Sequence, residues 1–435
     1  MAEHETSGLQ TLMDRAHAAD IAIHSLSVSV DGDTVVRAGV PPFGPDVPHR
    51  MYSVSKSITA IAILLLADEG RLSLEDPITA HFPEFRPVHP WLAATRIDDM
   101  LAMTGPHSRT TYIADRGGWL ESYFRVPPTR RPGTLFTYDT SASYVLSALV
   151  ERLSGMTVLD YLRPRLLDPL GAGRGMRFLT GPEGISHGGS GLIAAPDDML
   201  RIAEAVNGTS DVLPASVREL LVERRSDPGT QTWGASLRHG YGRQIWLPAD
   251  GCWLMFGLGG QLVYGDRSRG VAAVVTADTT LLASGDQRLV DLLLPELGGP
   301  VDGPLQLRAP APRHDPASAR TLRGEQVLAG GEDAPDRLRV DLAADGGEIE
   351  IGDSVLRVDT EHPTATALPL GDAVVTAGWS GKGVLDVRIS AAADDISSVR
   401  MRLVATDDGM LTVMSQGAGP EIGAEWTWQG SYRAA

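Results

Sequence analysis

The chain has 435 residues, and 55 acidic against 38 basic side chains leave a formal net charge of −17, which argues against nucleic acid or anionic lipid as partners, since both need phosphate-neutralising basic patches. No apolar run reaches the ~18 residues of a membrane span, the single cysteine, Cys252, excludes an internal disulfide, and eleven scattered histidines without a His-Glu-x-x-His give no reason to expect a metal or other cofactor. A hydrophobic content of 43% and a charged content of 21% describe an ordinary soluble protein, long enough for two or more domains.

Residues 1–6 have neither the basic nor the apolar segment of a signal peptide, so the mature chain is expected to be cytoplasmic. Residues 24–38 alternate around Asp31-Gly32-Asp33, a hairpin pattern. Ser53-Val54-Ser55-Lys56 follows, an S-x-x-K motif. The chain carries only two lysines, Lys56 and Lys382, against 36 arginines, and lysine, unlike arginine, can be deprotonated by its surroundings. The apolar run from Ile58 to Ala67, stopped by Gly70, reads as a buried helix that Ser53 opens. Positions three apart share a helical face, so Lys56 can reach the Ser53 hydroxyl, and the free N–H groups and dipole at the helix start favour an oxyanion there. A buried lysine can lose its proton near neutral pH, as activation of a serine requires. The competing reading is a helix-capping serine beside a surface lysine, because four-residue patterns recur by chance.

Downstream, Pro132-Gly133-Thr134-Leu135-Phe136-Thr137-Tyr138-Asp139-Thr140 precedes a helix that begins at Ser141 and stops at Gly155. Read alone, Tyr138 is more often a packing residue. Further helical patterns cover 144–153, 159–167 and 197–206. His107, in Thr104-Gly105-Pro106-His107, and His187, in the glycine-rich stretch 184–192, are lone histidines of the kind that are usually structural. Residues 239–246 read as a strand, followed by a turn at Asp250-Gly251 and a second strand from Trp253. Gly257, Gly259 and Gly260 fall within four positions, which allows close backbone approach to a ligand or merely a flexible turn. With the apolar run 271–276, strands at both ends and helices between them suit one antiparallel sheet against a helical subdomain, with a cleft between.

A composition break follows, with a Pro-rich connector over 299–320 separating residues 1–298 from an all-β module over 321–435, a small barrel or sandwich. The module shows no catalytic constellation; walling the cleft, gating substrate or mediating oligomerisation are the roles open to it. Lys382 sits in a turn and reads as solvated.

Four stretches carry a resemblance: Tyr52 to Leu66 with 68–77 behind it, Ile97 to Gly105, Pro132 to Thr140, and the glycine-bearing strand. Together they resemble penicillin-binding-protein-like serine hydrolases, a group that includes class C β-lactamases, related esterases, D-amino-acid peptidases and amidases. The resemblance covers residues 1–298 and implies an α/β (α+β) fold of the β-lactamase/transpeptidase kind, an antiparallel sheet with a helical subdomain, here with an all-β appendage. It implies Ser53 as nucleophile, Lys56 as base, and Tyr138 as second base or as the acid that serves the leaving group. Thr140 stands where the family has asparagine, and a hydroxyl cannot supply an amide's two donors, which eases acceptance of an ester. At the third motif the family carries Lys-Thr-Gly or His-x-Gly, whereas this chain has Gly257-Leu258-Gly259 without a cation, which counts against β-lactam hydrolysis. Arg243, His239 and His187 are the candidates to replace that cation, each equally open to a structural role. An N–H of the Gly257, Gly259 and Gly260 stretch is expected to complete an oxyanion hole with that of Ser53.

The expected activity is hydrolysis of a small ester or amide through an acyl-enzyme. The alternatives are ATP-independent acyl transfer to an amine or alcohol in small-molecule biosynthesis, and a non-catalytic ligand sensor. The partner expected is a small-molecule acyl donor, joined for transfer by an amine or alcohol acceptor.

Overall fold

The computed structural model describes residues 8–112, 118–229, 231, 233–297, 299 and 304–435. Helix α1 (Leu9–Ala18) precedes β1 (Ala22–Val30) and β2 (Asp33–Gly39), and β3 (His49–Tyr52) runs directly into α2 (Val54–Asp68). After α3 (Thr140–Ser154) come β4 (Arg177–Phe178), β5 (Leu192–Ala194) and α4 (Pro196–Asn207). Then follow β6 (Cys252–Gly257), β7 (Gln261–Asp266), β8 (Val271–Asp278) and α5 (Gly285–Leu293). The β1–β2 hairpin turns on Asp31 and Gly32, both at positive φ, the Asp-Gly geometry that matches strand twist in a two-residue loop.

One antiparallel sheet in the order β2-β1-β8-β7-β6 divides two cores. On one face Ala272 and Val274 of β8 join the core built around α2. On the other, Ala273 and Val275 pack with Leu12 of α1 and Leu289 of α5. Burial on both faces explains why β8 reads as an unbroken apolar run rather than an alternating one. Helix α2 is buried from Val54 to Leu66 on every side, so it forms the spine of the helical layer, with α3 against it. The short sheet β3-β5-β4 holds the chain entering α2.

Two expectations about local structure do not hold. Residues 239–246 form no strand; they fold into a turn pinned by single bridges of Tyr241 to Trp246 and of Trp246 to Leu254. The backbone leaves the extended conformation where Gln244 adopts φ 59°, and Gly242 lies against the Leu221 carbonyl, where a Cβ would come within 2.5 Å. The expected helix over 159–167 is regular only across Val158–Leu162, after which Pro164 forces Arg163–Leu167 into a wider π-turn.

The chain from 322 onward is all β: β9 (Leu322–Glu332), β10 (Arg337–Leu342), β11 (Gly346–Ile351), β12 (Ser354–Asp359), β13 (Thr364–Leu368), β14 (Gly371–Gly381), β15 (Val384–Ala392), β16 (Ile396–Ala405), β17 (Leu411–Ala418) and β18 (Trp428–Ala434). These ten strands form one antiparallel meander in which β18 pairs back onto β9, leaving a near-closed barrel with its seam between β12 and β13. Alternation sorts the side chains: Leu338, Val340 and Leu342 of β10 point into an apolar filling shared with Trp379, Trp428 and Tyr432, while Arg337, Arg339 and Asp341 point out. Residues 300–303 of the expected connector lie outside the described residues. Its later part is tied down on both sides: Arg308 pairs with Asp14 at 2.7 Å, and Pro310 accepts a hydrogen bond from Thr376 at 2.8 Å. Among the described residues no helix is long and apolar enough to cross a membrane.

Candidate active site

Ser53 occupies the residue immediately before α2, where β3 delivers it. Tyr52 makes the bend at φ 45°, a conformation that a bulky side chain adopts only when its surroundings impose it. One turn into the helix, Lys56 donates from Nζ to Ser53 Oγ at 3.0 Å and to the Gly189 carbonyl at 2.5 Å. The lysine is 1% exposed. Burial lowers its pKa from 10.5 to about 7, against the Asp139 carboxylate, which favours the ammonium. A neutral amine is therefore available near physiological pH.

Tyr138 completes the group. Its ring lies 4.7 Å from Lys56 Nζ, its hydroxyl is hydrogen-bonded to Ser53, and Trp233 and Trp246 flank it at 4.9 and 5.7 Å. Burial raises the phenol's pKa well above its ordinary value, against the Ser53 contact, which lowers it; of the two roles expected for Tyr138, base and acid, that direction fits the acid. Asp139, which the sequence reading passed over, caps α3 through Oδ1, accepting from the Ser141 N–H at 2.9 Å. Burial pushes its carboxyl up to about 6.

A cavity of about 570 Å³ opens over Ser53, Tyr138 and Thr140. Trp233, Leu237, Phe256, Leu258 and Val290 give it apolar walls, and Asp286 and Asp291 are its charged residues; no arginine or lysine is among its described lining. Thr140 lies at the inner wall, with its N–H on Thr110 Oγ1 at 3.2 Å.

The three glycines separate. Gly257 ends β6 against the Met51 carbonyl, where a Cβ would sit at 2.2 Å, so glycine is what lets this strand approach the chain leading to Ser53. Gly259 and Gly260 are not in the cavity's described lining; the Gly260 N–H donates to the Gly257 carbonyl at 3.3 Å, and a Cβ on Gly259 or Gly260 would strike Ile396 at 2.0 Å or Leu289 at 2.3 Å. Leu258, 44% exposed in the cavity wall, is the residue between them whose N–H finds no acceptor among the described residues.

Neither arginine nor histidine replaces the missing cation. Arg243 is buried with its guanidinium on Asp98 at 2.6 Å, Glu223 at 2.8 Å and the Leu220 carbonyl at 2.6 Å, a structural network away from the cavity's described lining. His187 packs behind Gly189 with its ring among Tyr112, Trp119 and Tyr144; burial and the neighbouring Lys56 lower its pKa to about 3, so it is neutral. His107 bonds the Tyr123 carbonyl at 2.9 Å, and His239 lies by a separate surface hollow with Trp253 and Arg267.

Three comparisons bear on this arrangement. Over 264 aligned residues the chain is 28% identical to Protein Rv1367c of Mycobacterium tuberculosis, covering 46% of this chain and 65% of that protein's length. Over 266 residues it is 24% identical to Esterase EstB of Burkholderia gladioli, covering 46% and 67%. The octameric penicillin-binding protein homologue from Pyrococcus abyssi superimposes with a TM-score of 0.52 at 15% identity, over 97% of this chain and 98% of that one, so the likeness in fold takes in the barrel as well as the sheet and helices. The Beta-lactamase family model matches residues 9–294, the segment that carries the Ser53–Lys56–Tyr138 cluster and its cavity, and the chain belongs to that family.

Proposed function

We propose that this protein is a serine acyl-enzyme hydrolase of small esters with an apolar, uncharged or cationic acyl group. The observation that carries the reading is the buried Lys56 amine, held near neutrality and 3.0 Å from the Oγ of Ser53, which lines an apolar cavity. Ser53 Oγ attacks the ester carbonyl while its proton passes to Lys56 Nζ. The N–H groups of Ser53 and Leu258 face the developing oxyanion. The proton then moves from Lys56 through the Tyr138 hydroxyl to the leaving alkoxide as the C–O bond breaks. Water, activated by the same amine, clears the acyl group.

The cavity lining supports the substrate class. Asp286 and Asp291 line it without a facing arginine or lysine, so a substrate carboxylate meets repulsion where a β-lactamase would hold it. Thr140, in place of an amide side chain, favours an ester over an amide. Acyl transfer to an amine or alcohol uses the same residues and differs only in how well the cavity excludes water.

The test is intact-protein mass after brief exposure to activated acyl esters, with and without amine acceptors, in wild type and Ser53→Ala. A Ser53-dependent adduct cleared by water supports the hydrolase, and one that amines discharge faster supports transfer. An adduct, or unchanged turnover, in Ser53→Ala refutes the assignment of the nucleophile. A wild type that forms no adduct with any donor favours a ligand sensor on the same fold.

A further inference from the structure

The turn between β15 and β16 brings the barrel against three separate parts of the machinery. Asp395 Oδ1 accepts the hydroxyl of Tyr52 at 2.8 Å, and the Ile396 N–H donates to the same oxygen of Tyr52 at 2.9 Å. Tyr52 is the residue at φ 45° whose bend places Ser53 at the start of α2. The same Asp395 oxygen pairs with Arg50 Nη1 at 2.5 Å, and Arg50 Nε in turn holds the Ser190 carbonyl at 3.2 Å. Ser190 adjoins Gly189, whose carbonyl is the second acceptor for the Lys56 amine. Finally, the Ile396 side chain fills the space beside Gly259, against the turn that presents Leu258 to the cavity.

We propose that this turn is a clamp built into the chain, and that Asp395 is a positioning residue for the nucleophile, acting through Tyr52 on Ser53 and through Arg50 on the loop that orients Lys56. The proposal rests on the reading of Ser53 and Lys56 given above. A tyrosine in the left-handed region stays there only while its surroundings over-determine it, and among the described residues the hydrogen bonds of its hydroxyl go to the barrel. Both members of the dyad are therefore referenced to one carboxylate, more than 300 residues away in sequence but seated on the rigid end of a barrel. Misplacement of a reacting group by about 1 Å costs on the order of 100-fold in rate. Loss of the clamp is expected to act on the chemical step and to leave substrate binding in the cavity almost untouched.

The experiment is performed on the full chain with wild type, Asp395→Ala, Asp395→Asn, Tyr52→Phe and the double variant Asp395→Ala/Tyr52→Phe. Two rates are read: kcat and KM for an activated ester, and labelling by a fluorophosphonate, in which Ser53 Oγ displaces fluoride from phosphorus and gives up its proton to Lys56. Asp395→Ala is expected to lower kcat and labelling by about 10- to 100-fold with KM within about twofold. Asp395→Asn, whose amide oxygen still accepts from Tyr52 and Arg50 but carries no charge to pair with the guanidinium, is expected to fall between. The double variant should be no slower than its slower parent, because the two residues act through one contact. A role confined to stability would lower the melting temperature while leaving kcat per folded molecule unchanged. Folded Asp395→Ala with both rates within twofold of wild type overturns the proposal. If that variant does not fold, Tyr52→Phe, which keeps the ring and loses only the hydroxyl, decides in the same way. A wild type that is not labelled at Ser53 refutes the underlying reading of the site, whereas labelling that is equal in wild type and variants refutes the clamp alone.

Discussion

The pH dependence of acylation should turn on Lys56. Its pKa of about 7 is a balance in which burial disfavours the ammonium and the Asp139 carboxylate favours it. Only the neutral amine can take the Ser53 proton, and that form makes up about one molecule in eleven one pH unit below the pKa and about ten in eleven one unit above it. kcat/KM for an activated ester is therefore expected to rise roughly tenfold between pH 6 and pH 8 and then to level off. Asp139→Asn sharpens the test. Asparagine can still cap α3 by accepting from the Ser141 N–H, but it removes the charge that favours the ammonium. The Lys56 pKa then falls further, and the rising limb moves to lower pH. Initial rates of an activated ester across pH 5 to 9, for wild type and Asp139→Asn, measure both effects. A profile flat from pH 6 to 8, or a limb that moves to higher pH in the variant, would refute the assignment of Lys56 as the base.

Two further outcomes are expected. Arg243→Ala should lower stability by about 3 kcal/mol, at the low end for breaking a buried ion pair because Arg225 still pairs with Asp98. Its KM should stay at the wild-type value; urea unfolding and steady-state kinetics report the two, and a raised KM with unchanged stability would return Arg243 to the substrate. Thr140→Asn should raise the ratio of amide to ester kcat/KM, since it adds an amide's donors at the cavity wall; an unchanged ratio would show that this position does not select the bond cleaved.

What the sequence made legible is what depends on neighbours. Ser53 and Lys56 lie one helical turn apart, and the apolar run behind them had to be buried, so their contact follows from α-helix geometry. The barrel strands likewise announce themselves by period-two alternation, as in β10. The failures share a different cause. Arg243 was an open candidate because its partner Asp98 is 145 positions away, and a buried pairing of that span leaves no local trace. The glycines at 259 and 260 were read as facing a ligand, but side chains from α5 and the barrel occupy that space. The same long separation hides Asp395. Asp139 was within reach, since an acid adjoining a motif tyrosine just ahead of a helix is both a cap and a charge near the lysine.

The way the barrel closes has a consequence for when the proposed clamp can form. β9 obtains its second neighbour only from β18, so every other barrel strand is synthesised before the ring can be completed. Until then β9 and β17 present open edges, and the turn carrying Asp395 projects from an unfinished sheet. Ser53, Lys56 and Tyr138 have left the ribosome long before. A nascent chain thus holds its reactive serine early and its brace late. On the clamp proposed above, the order of synthesis would delay full reactivity of Ser53 until the fold around it is finished.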